Sequence, residues 1–366
     1  MKLAVIVSGF PRRSETFMLG ELLALEANGV LAGVFATKLG ETGRAQPGTE
    51  RLSKYVEFLP DVSIEEQARA MRMMLARKKV SGIHAYFAHR PAEVAQQAAQ
   101  MLGVPFGFST HARDCRKVAP DILGQRARDA ACVVACNTDV AGDIRALGLD
   151  VHLLPHGVDL QRFTPRVARV NSVLRLLAVG RLVEKKGFHF LIAALSGLKM
   201  PFTLTIAGDG PERERLRQLI VLNNLENRVV FCGAVTHSEL PRMYGEADVV
   251  VVPSVQDSSG DRDGLPNVVL EAMASGRPIV ASDAGAIASA IVDCENGLLV
   301  PPADPVGLGQ AIRRLAESRE LREQLGRNGR RRAEIDYEVG QCSERFHRLL
   351  TSVYAGNYAA GASPSS

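Results

Sequence analysis

The stretch LRLLAVGRLVEKKGFHFLIAAL, residues 174–195, holds a complete structural unit. Leu174–Val179 is a short, almost unbroken apolar run, the mark of a strand buried on both faces. Gly180 ends it, and a helical pattern follows over Phe188–Leu195. A strand feeding a helix is half of a βαβ unit, from which parallel sheets are built. Further strand-like runs follow at Phe202–Ala207, Val229–Phe231, Val249–Val252 and Ile279–Ala281. Helical patterns separate them near Glu212–Leu222, Ser238–Glu246 and Asn267–Ser275.

The first half repeats this alternation. Strands are expected at Leu3–Val7, Val30–Ala36, Ile83–Phe87, Pro105–Phe108, Cys132–Ala135 and Val151–Leu154. Helices are expected at Glu15–Ala27, Glu65–Lys78, Ala92–Leu102 and Asp139–Leu147, the first with Ser14 as N-cap. The pattern lapses at HGVDLQRFTPRVARVNS, residues 156–172, which reads as a linker. The fold expected is therefore α/β, with two doubly wound Rossmann-like domains over residues 1–160 and 172–337, facing across a cleft. Residues 305–354 read as helices, and a C-terminal helix over about 338–355 is expected to pack back on the first domain. The GlyAlaSerProSer end should fray. Ligands of such sheets lie outside the carboxyl ends of the strands, so the cleft is the expected active site.

Composition narrows the function. The chain has 366 residues, 46% apolar and 23% charged, which excludes a disordered or collagen-like chain and a small disulfide scaffold. Its net charge of +4 is too weak to argue for nucleic acid. No run approaches the ~18–20 apolar residues of a membrane span. The opening MKLAVIVSGFPRRSE resembles a signal peptide only superficially, since Pro11, Arg12 and Arg13 stop the apolar run without a small-residue cleavage site. The six cysteines form no CxxC pair and read as small buried thiols of a reduced, cytoplasmic protein.

Three segments carry chemistry. In Gly180–Gly187, Arg181 and Lys186 place two cations at a strand's carboxyl end, where a phosphate would bind. In Gly208-Asp209-Gly210-Pro211, glycine permits close approach of a ligand and proline suits a first helical turn. In DGLPNVVLEAMA, residues 263–274, a loop with one carboxylate, Asp263, runs through Gly264, Leu265 and Pro266 into a helix beginning near Asn267 and Val268. Glu271 is placed in or near its first turn. Unpaired amides at that N-terminus could carry a pyrophosphate, with one carboxylate toward a sugar and the other toward a nucleoside. Taken singly, Glu271 reads as a dipole-complementing residue and Asp263 as a loop cap. The three segments in this order favour the ligand reading.

Together they resemble the retaining GT-B glycosyltransferases of family 4, most strongly from Gly180 to Val300. The Asp263 variant is similar to a bacterial exopolysaccharide subgroup of the colanic-acid type. The resemblance implies transfer of a sugar, with retention, from a UDP-sugar or GDP-sugar to a glycan or lipid-linked glycan acceptor. It assigns Arg181 and Lys186 to the donor diphosphate, Glu271 to the ribose hydroxyls and Asp263 to the transferred sugar. Gly208, Gly210 and residues Gly264–Val268 would complete the nucleotide site. No cofactor and no metal are implied. Asp261-Arg262-Asp263 does spell a DxD, which holds a divalent metal in another glycosyltransferase fold, and reads here as a chance match.

In the first half, His111 follows a strand and resembles the family's histidine beside the reacting sugar; the bland alternative is a hydrogen-bonded loop histidine. His111 and Cys115 are four apart, with no further pair to support zinc. His156-Gly157-Val158-Asp159 resembles a hinge element. Arg12 and Arg13 could meet a phosphate or lie solvated. Residues 65–79, EEQARAMRMMLARKK, could rest on the inner membrane face or cover the sheet as an ordinary helix. Arg313–Arg332 reads as a solvated helix pair. Rival functions are a sugar-nucleotide epimerase or phosphorylase on the same fold, and a non-catalytic donor-binding partner of another transferase. A nicotinamide dehydrogenase is disfavoured because no G-x-G-x-x-G follows the first strand.

Overall fold

The computed structural model describes residues 1–12, 15–41, 46–111, 115–166 and 172–360, without the side chains of Thr16 and 356–360. The expected cap Ser14, with Arg13, lies outside the described residues, as does the GlyAlaSerProSer end. The chain divides into two compact units. Met1–Gly157 joins Val339–Ser366 in one, and Val158–Glu338 forms the other.

The first unit runs β1 (Leu3–Val7), α1 (Thr16–Ala27), β2 (Leu31–Ala36), α2 (Thr49–Leu52), β3 (Val56–Phe58), α3 (Ile64–Leu75), β4 (Gly82–Tyr86), α4 (Arg90–Leu102), β5 (Phe106–Thr110), α5 (Pro120–Asp129), β6 (Cys132–Ala135), α6 (Thr138–Arg145) and β7 (His152–Leu153). Its seven strands lie in the order β3-β2-β1-β4-β5-β6-β7, all neighbours parallel. The second unit runs β8 (Leu174–Val179), α7 (Phe188–Ser196), β9 (Phe202–Ala207), α8 (Arg213–Leu222), β10 (Val229–Gly233), α9 (Leu240–Glu246), β11 (Val249–Val252), α10 (Asn267–Ala274), β12 (Ile279–Ser282), α11 (Ile287–Ala290), β13 (Leu298–Val300), α12 (Pro305–Glu317) and α13 (Arg319–Asp336). Its six parallel strands lie in the order β10-β9-β8-β11-β12-β13. A final helix, α14 (Val339–Ala360), belongs to the first unit. Each unit is thus a doubly wound Rossmann-like α/β sheet, as the strand–helix alternation requires.

The unbroken apolar runs have a simple cause. Leu3, Val5 and Val7 of β1 enter one core cluster while Ala4 and Ile6 enter another, so both faces of the sheet are covered. In the second unit Leu176 and Ala178 feed one cluster and Leu177 the other. Helix starts follow local chemistry. Ser63 and Glu66 close a capping box on α3, and the Asn137 side chain caps α6. Phe346, Leu350 and Tyr354 of α14 fill one face of the first sheet. The Tyr354 ring lies over the strands at Gly82 and Gly107, where an added Cβ would come within 2.2 and 2.6 Å of it.

Some expectations need correction. The strands β3 and β13 and the helices α2, α5 and α11 were not anticipated. The basic helix ends at Leu75, and Ala68, Met71 and Leu75 are buried in the core beside α4 residues. The apolar face that could have met a bilayer is therefore already covered by protein. The cysteines are all free, but Cys232 and Cys294 are exposed and Cys136 half-buried; burial holds for Cys115, Cys132 and Cys342. No helix among the described residues is long and apolar enough to cross a membrane.

Candidate active site

In the second unit the strand order reverses at β8, with β9 on one side and β11 on the other. Crevices at such switch points bind ligands. The loops leaving β8 and β9 there are pressed together. Gly180 N donates to Ala207 O at 3.0 Å, and Leu182 N to Asp209 O at 3.0 Å. Gly208 has φ 149°, and a Cβ on it would lie 1.8 Å from Gly180 O. One on Gly210 would lie 2.4 Å from Leu182 O. The close approach that requires these two glycines is therefore made by the neighbouring protein loop. Pro211 precedes the first turn of α8 rather than standing in it.

The Arg181–Lys186 segment and Asp263 meet. Lys186, in a single 3₁₀ turn over Glu184–Lys186, places Nζ 2.7 Å from Asp263 Oδ2. Lys185 Nζ lies 3.5 Å from Asp263 Oδ1 and 3.0 Å from Asp261 Oδ2. Ser254, just after β11, donates its hydroxyl to Asp263 Oδ2 at 3.0 Å. Burial alone would raise the Asp263 carboxyl, but the two ammonium groups and the Ser254 hydroxyl hold it below the ordinary carboxylate range. The Arg181 side chain is exposed and has no ion pair among the described residues. Lys185 and Lys186 thus pair with Asp261 and Asp263. Lys185 was missed from sequence; its signal was adjacency to Lys186 on one tight turn.

Glu271 sits elsewhere. It is the fifth residue of α10, in the second turn rather than the first, and is only 6% exposed. It therefore does not serve the helix N-terminus. Tyr244 donates its hydroxyl to Glu271 Oε2 at 2.8 Å, and His237 Nε2 lies 3.3 Å from Oε1. Burial, then the neighbouring Glu271 charge, pushes the Tyr244 phenol well above its ordinary value. Phe163 packs edge-on to both rings. Tyr244 and His237 carried no sequence signal, because a core aromatic and a loop histidine look ordinary. Pro266 stands at the N-cap of α10, Asn267 and Val268 open the helix, and Leu265 and Val268 pack partly buried against the adjoining core. Gly264 O accepts a hydrogen bond from Ala286 N at 3.2 Å, tying the loop to the segment after β12. Among the described residues, Asp263 and Glu271 share no hydrogen-bonding side chain.

In the first unit His111 follows β5, Cys136 follows β6 and His156 lies just beyond β7. His111 Nε2 is 3.1 Å from His156 Nε2, and His156 Nδ1 is 2.9 Å from Glu21 Oε1. Tyr86 donates its hydroxyl to the other Glu21 oxygen. Burial, then the His156 and His89 charges, holds His111 well below its usual pKa. Burial also opposes charge on His156, but Glu21 and Cys136 prevail and hold it up at about 10. His111 and His156 are thus a hydrogen-bonded pair anchored by Glu21. The hinge reading of His156 omitted this half-buried polar partnership. Phe17 stacks on His156 with centroids 4.0 Å apart and lies 4.8 Å from His111. Cys115 belongs to the apolar core. Arg12 pairs with Glu15 and Glu41 at 3.3 and 3.7 Å, so two carboxylates already face it.

Residues 174–318 match the family model described as Glycosyl transferases group 1. WcaL of Escherichia coli (strain K12), named as a colanic acid biosynthesis glycosyltransferase, is 38% identical over 160 residues, which are 43% of this chain and 39% of that relative. Its namesake in Salmonella typhimurium (strain LT2) is 27% identical over an alignment of 372 positions, covering 87% of this chain and 90% of that one. Among solved structures, the fold is similar to that of Anabaena Alr3699/HepE, crystallised with UDP, at a TM-score of 0.82 and 20% identity, covering 96% of this chain and 100% of that one.

Proposed function

We propose that this chain, whose residues 174–318 form a group 1 glycosyl transferase domain, is a glycosyltransferase that moves a sugar from a nucleoside-diphosphate sugar to a glycan or lipid-linked glycan acceptor. The observation that carries this reading is the cation cluster of Arg181, Lys185 and Lys186 at the carboxyl end of β8, closed by Asp263. Leaving-group charge develops on the donor diphosphate, and preorganised cations with the α10 amides would stabilise it. Lys186 would exchange Asp263 for a phosphate oxygen on donor binding. The released carboxylate would then face the transferred sugar.

Glu271 suits the ribose. An ionised carboxylate offers about four acceptor sites. Tyr244 and His237 use two and fix the group in place, which leaves capacity for two hydroxyls. UDP is the first nucleotide to test, because the HepE structures were solved with UDP and with UDP-glucose; GDP is the second. Exopolysaccharide synthesis as the setting rests on the names of the WcaL relatives.

Retention is the stereochemistry we infer from the resemblance, by front-side displacement in which the leaving phosphate takes the acceptor proton. His111 is the residue we assign to contact the sugar or acceptor from the first unit. A divalent metal on the diphosphate is dispensable in this reading, because Arg181 and Lys186 already offer two positive charges to the diphosphate. We place the reaction in the cytoplasm, where nucleotide sugars are made.

Thermal unfolding with UDP, GDP and their sugars tests the proposal. A ligand at a hundredfold excess over Kd stabilises the folded state by about 2.7 kcal/mol. One nucleotide should raise the melting temperature, and its sugar conjugate should be consumed only when acceptor is added. Transfer should survive EDTA, and NMR of the product should show the donor's anomeric configuration. Failure of both nucleotides to shift the transition overturns the assignment, and EDTA-sensitive transfer rescued by Mg²⁺ overturns the metal-free mechanism.

A further inference from the structure

We propose that the carboxyl ends of β5, β6 and β7 form a binding site for a borderline-soft divalent transition-metal ion such as Zn²⁺, with His111, Cys136 and His156 as ligands. The sheet creates the juxtaposition. Thr110 pairs with Ala135, and Ala135 with Leu153, so the three parallel strands end side by side. The residue after β5 is His111, the residue after β6 is Cys136, and His156 follows β7 by three positions. One ligand atom from each lies within 4.8 Å of the others.

The two Nε2 atoms face each other at 3.1 Å. Two nitrogens bound at about 2.0–2.1 Å to one tetrahedral ion stand roughly 3.3 Å apart. The imidazoles therefore need little movement to share an ion. Two imidazoles and a thiolate select zinc, copper or nickel over magnesium or calcium, which require oxygen ligands. This donor set is thus distinct from any metal on a diphosphate.

The surroundings resemble those of metal-binding histidines. Glu21 holds His156 through Nδ1 at 2.9 Å and leaves Nε2 for the ion. Tyr86 holds Glu21 in turn. Asn137 Nδ2 donates to Cys136 Sγ at 3.1 Å and so helps to hold the sulfur in place. Phe17 and Phe87 lie against the histidine rings and fix their planes. All three ligands are half-buried, so an ion can enter, and three protein ligands leave a fourth position open. An ion there would occupy His111 Nε2 and inhibit transfer; that consequence alone rests on the function proposed above.

Titration of the metal-free full-length protein with Co²⁺ tests the site. The expected result is one ion per chain, with tetrahedral d–d bands and a thiolate-to-cobalt charge-transfer band, both removed by Zn²⁺. Cys136→Ser should abolish the charge-transfer band, and Glu21→Gln should weaken binding by about 10–100-fold. Cys232→Ser, which alters an exposed thiol remote from these strands in sequence, should change neither. Absence of stoichiometric binding overturns the proposal, as does a charge-transfer band that survives in Cys136→Ser. Zn²⁺ should inhibit transfer over the range in which it displaces Co²⁺. Binding without inhibition keeps the site and removes His111 from the reaction.

Discussion

Exchanging Asp263 for asparagine keeps the side-chain shape and removes one charge. Two ammonium groups lie at 2.7 and 3.5 Å from that carboxylate, and Ser254 donates to it at 3.0 Å. In the free protein a diphosphate approaching Lys186 must compete with it. A hydrogen bond to a charged group contributes about 1.5–3 kcal/mol, and about 1.4 kcal/mol is tenfold in affinity. Asp263→Asn should therefore bind UDP or GDP as tightly as the parent or up to about tenfold tighter. The sugar is carried only by the intact donor, so loss of the carboxylate that faces it should cut turnover at least about tenfold. Calorimetry measures the first quantity, and product formation at saturating donor the second. Unchanged turnover would refute a role at the sugar. A parallel fall in nucleotide affinity and turnover would also refute it, and would make Asp263 only the anchor that holds Lys186.

Glu271→Ala should weaken UDP or GDP binding at least about tenfold, since ribose is common to donor and product; unaltered nucleotide affinity sinks the ribose assignment. Tyr244→Phe leaves a buried Glu271 oxygen without its donor, and should destabilise the fold by about 1–3 kcal/mol in urea titration. His111→Ala should lower turnover more than nucleotide affinity, and an unchanged kcat would return it to a structural role in its loop. Asp263 has a folded-state pKa below its unfolded value, so its contribution to stability is complete above about pH 4 and is lost as the pH falls through the folded value. Melting temperatures of parent and Asp263→Asn should therefore converge below pH 4; a gap that stays constant down to pH 2.5 contradicts the depressed pKa.

Local chemistry was legible in the sequence wherever one segment contains it. The β8 run, the Gly180 stop and the cations that follow can be read from fourteen consecutive residues, 174–187. The edge strand β3 could not, because three partly exposed residues carry no period. Glu271 was read in or near the first turn of α10; the helix opens at Asn267 as expected, and counting from there makes Glu271 the fifth residue, in the second turn. Its partners stand 27 and 34 residues away, Tyr244 on α9 and His237 in the loop before it, and no spacing rule connects them. The His111–His156 contact spans 45 residues and depends on β5, β6 and β7 being neighbours, a property of strand order rather than of any motif.

Tyr354 over Gly82 and Gly107 has a consequence for biosynthesis. The second unit is one continuous segment and can close its core as soon as residue 338 is free. The first unit cannot, although it is made earlier, because its covering helix is translated only after the whole second unit. Nearly 250 residues separate Gly107 from Tyr354, and ribosomes add about 5–20 residues per second. For roughly 10–50 s the nascent first sheet presents an uncovered apolar face, with the buried His84 and the glycines Gly82 and Gly107 open to water or to a chaperone. The order in which the domains mature is thereby the reverse of the order in which they are encoded, and a chain cut short between residues 338 and 354 would complete its later domain and strand its earlier one.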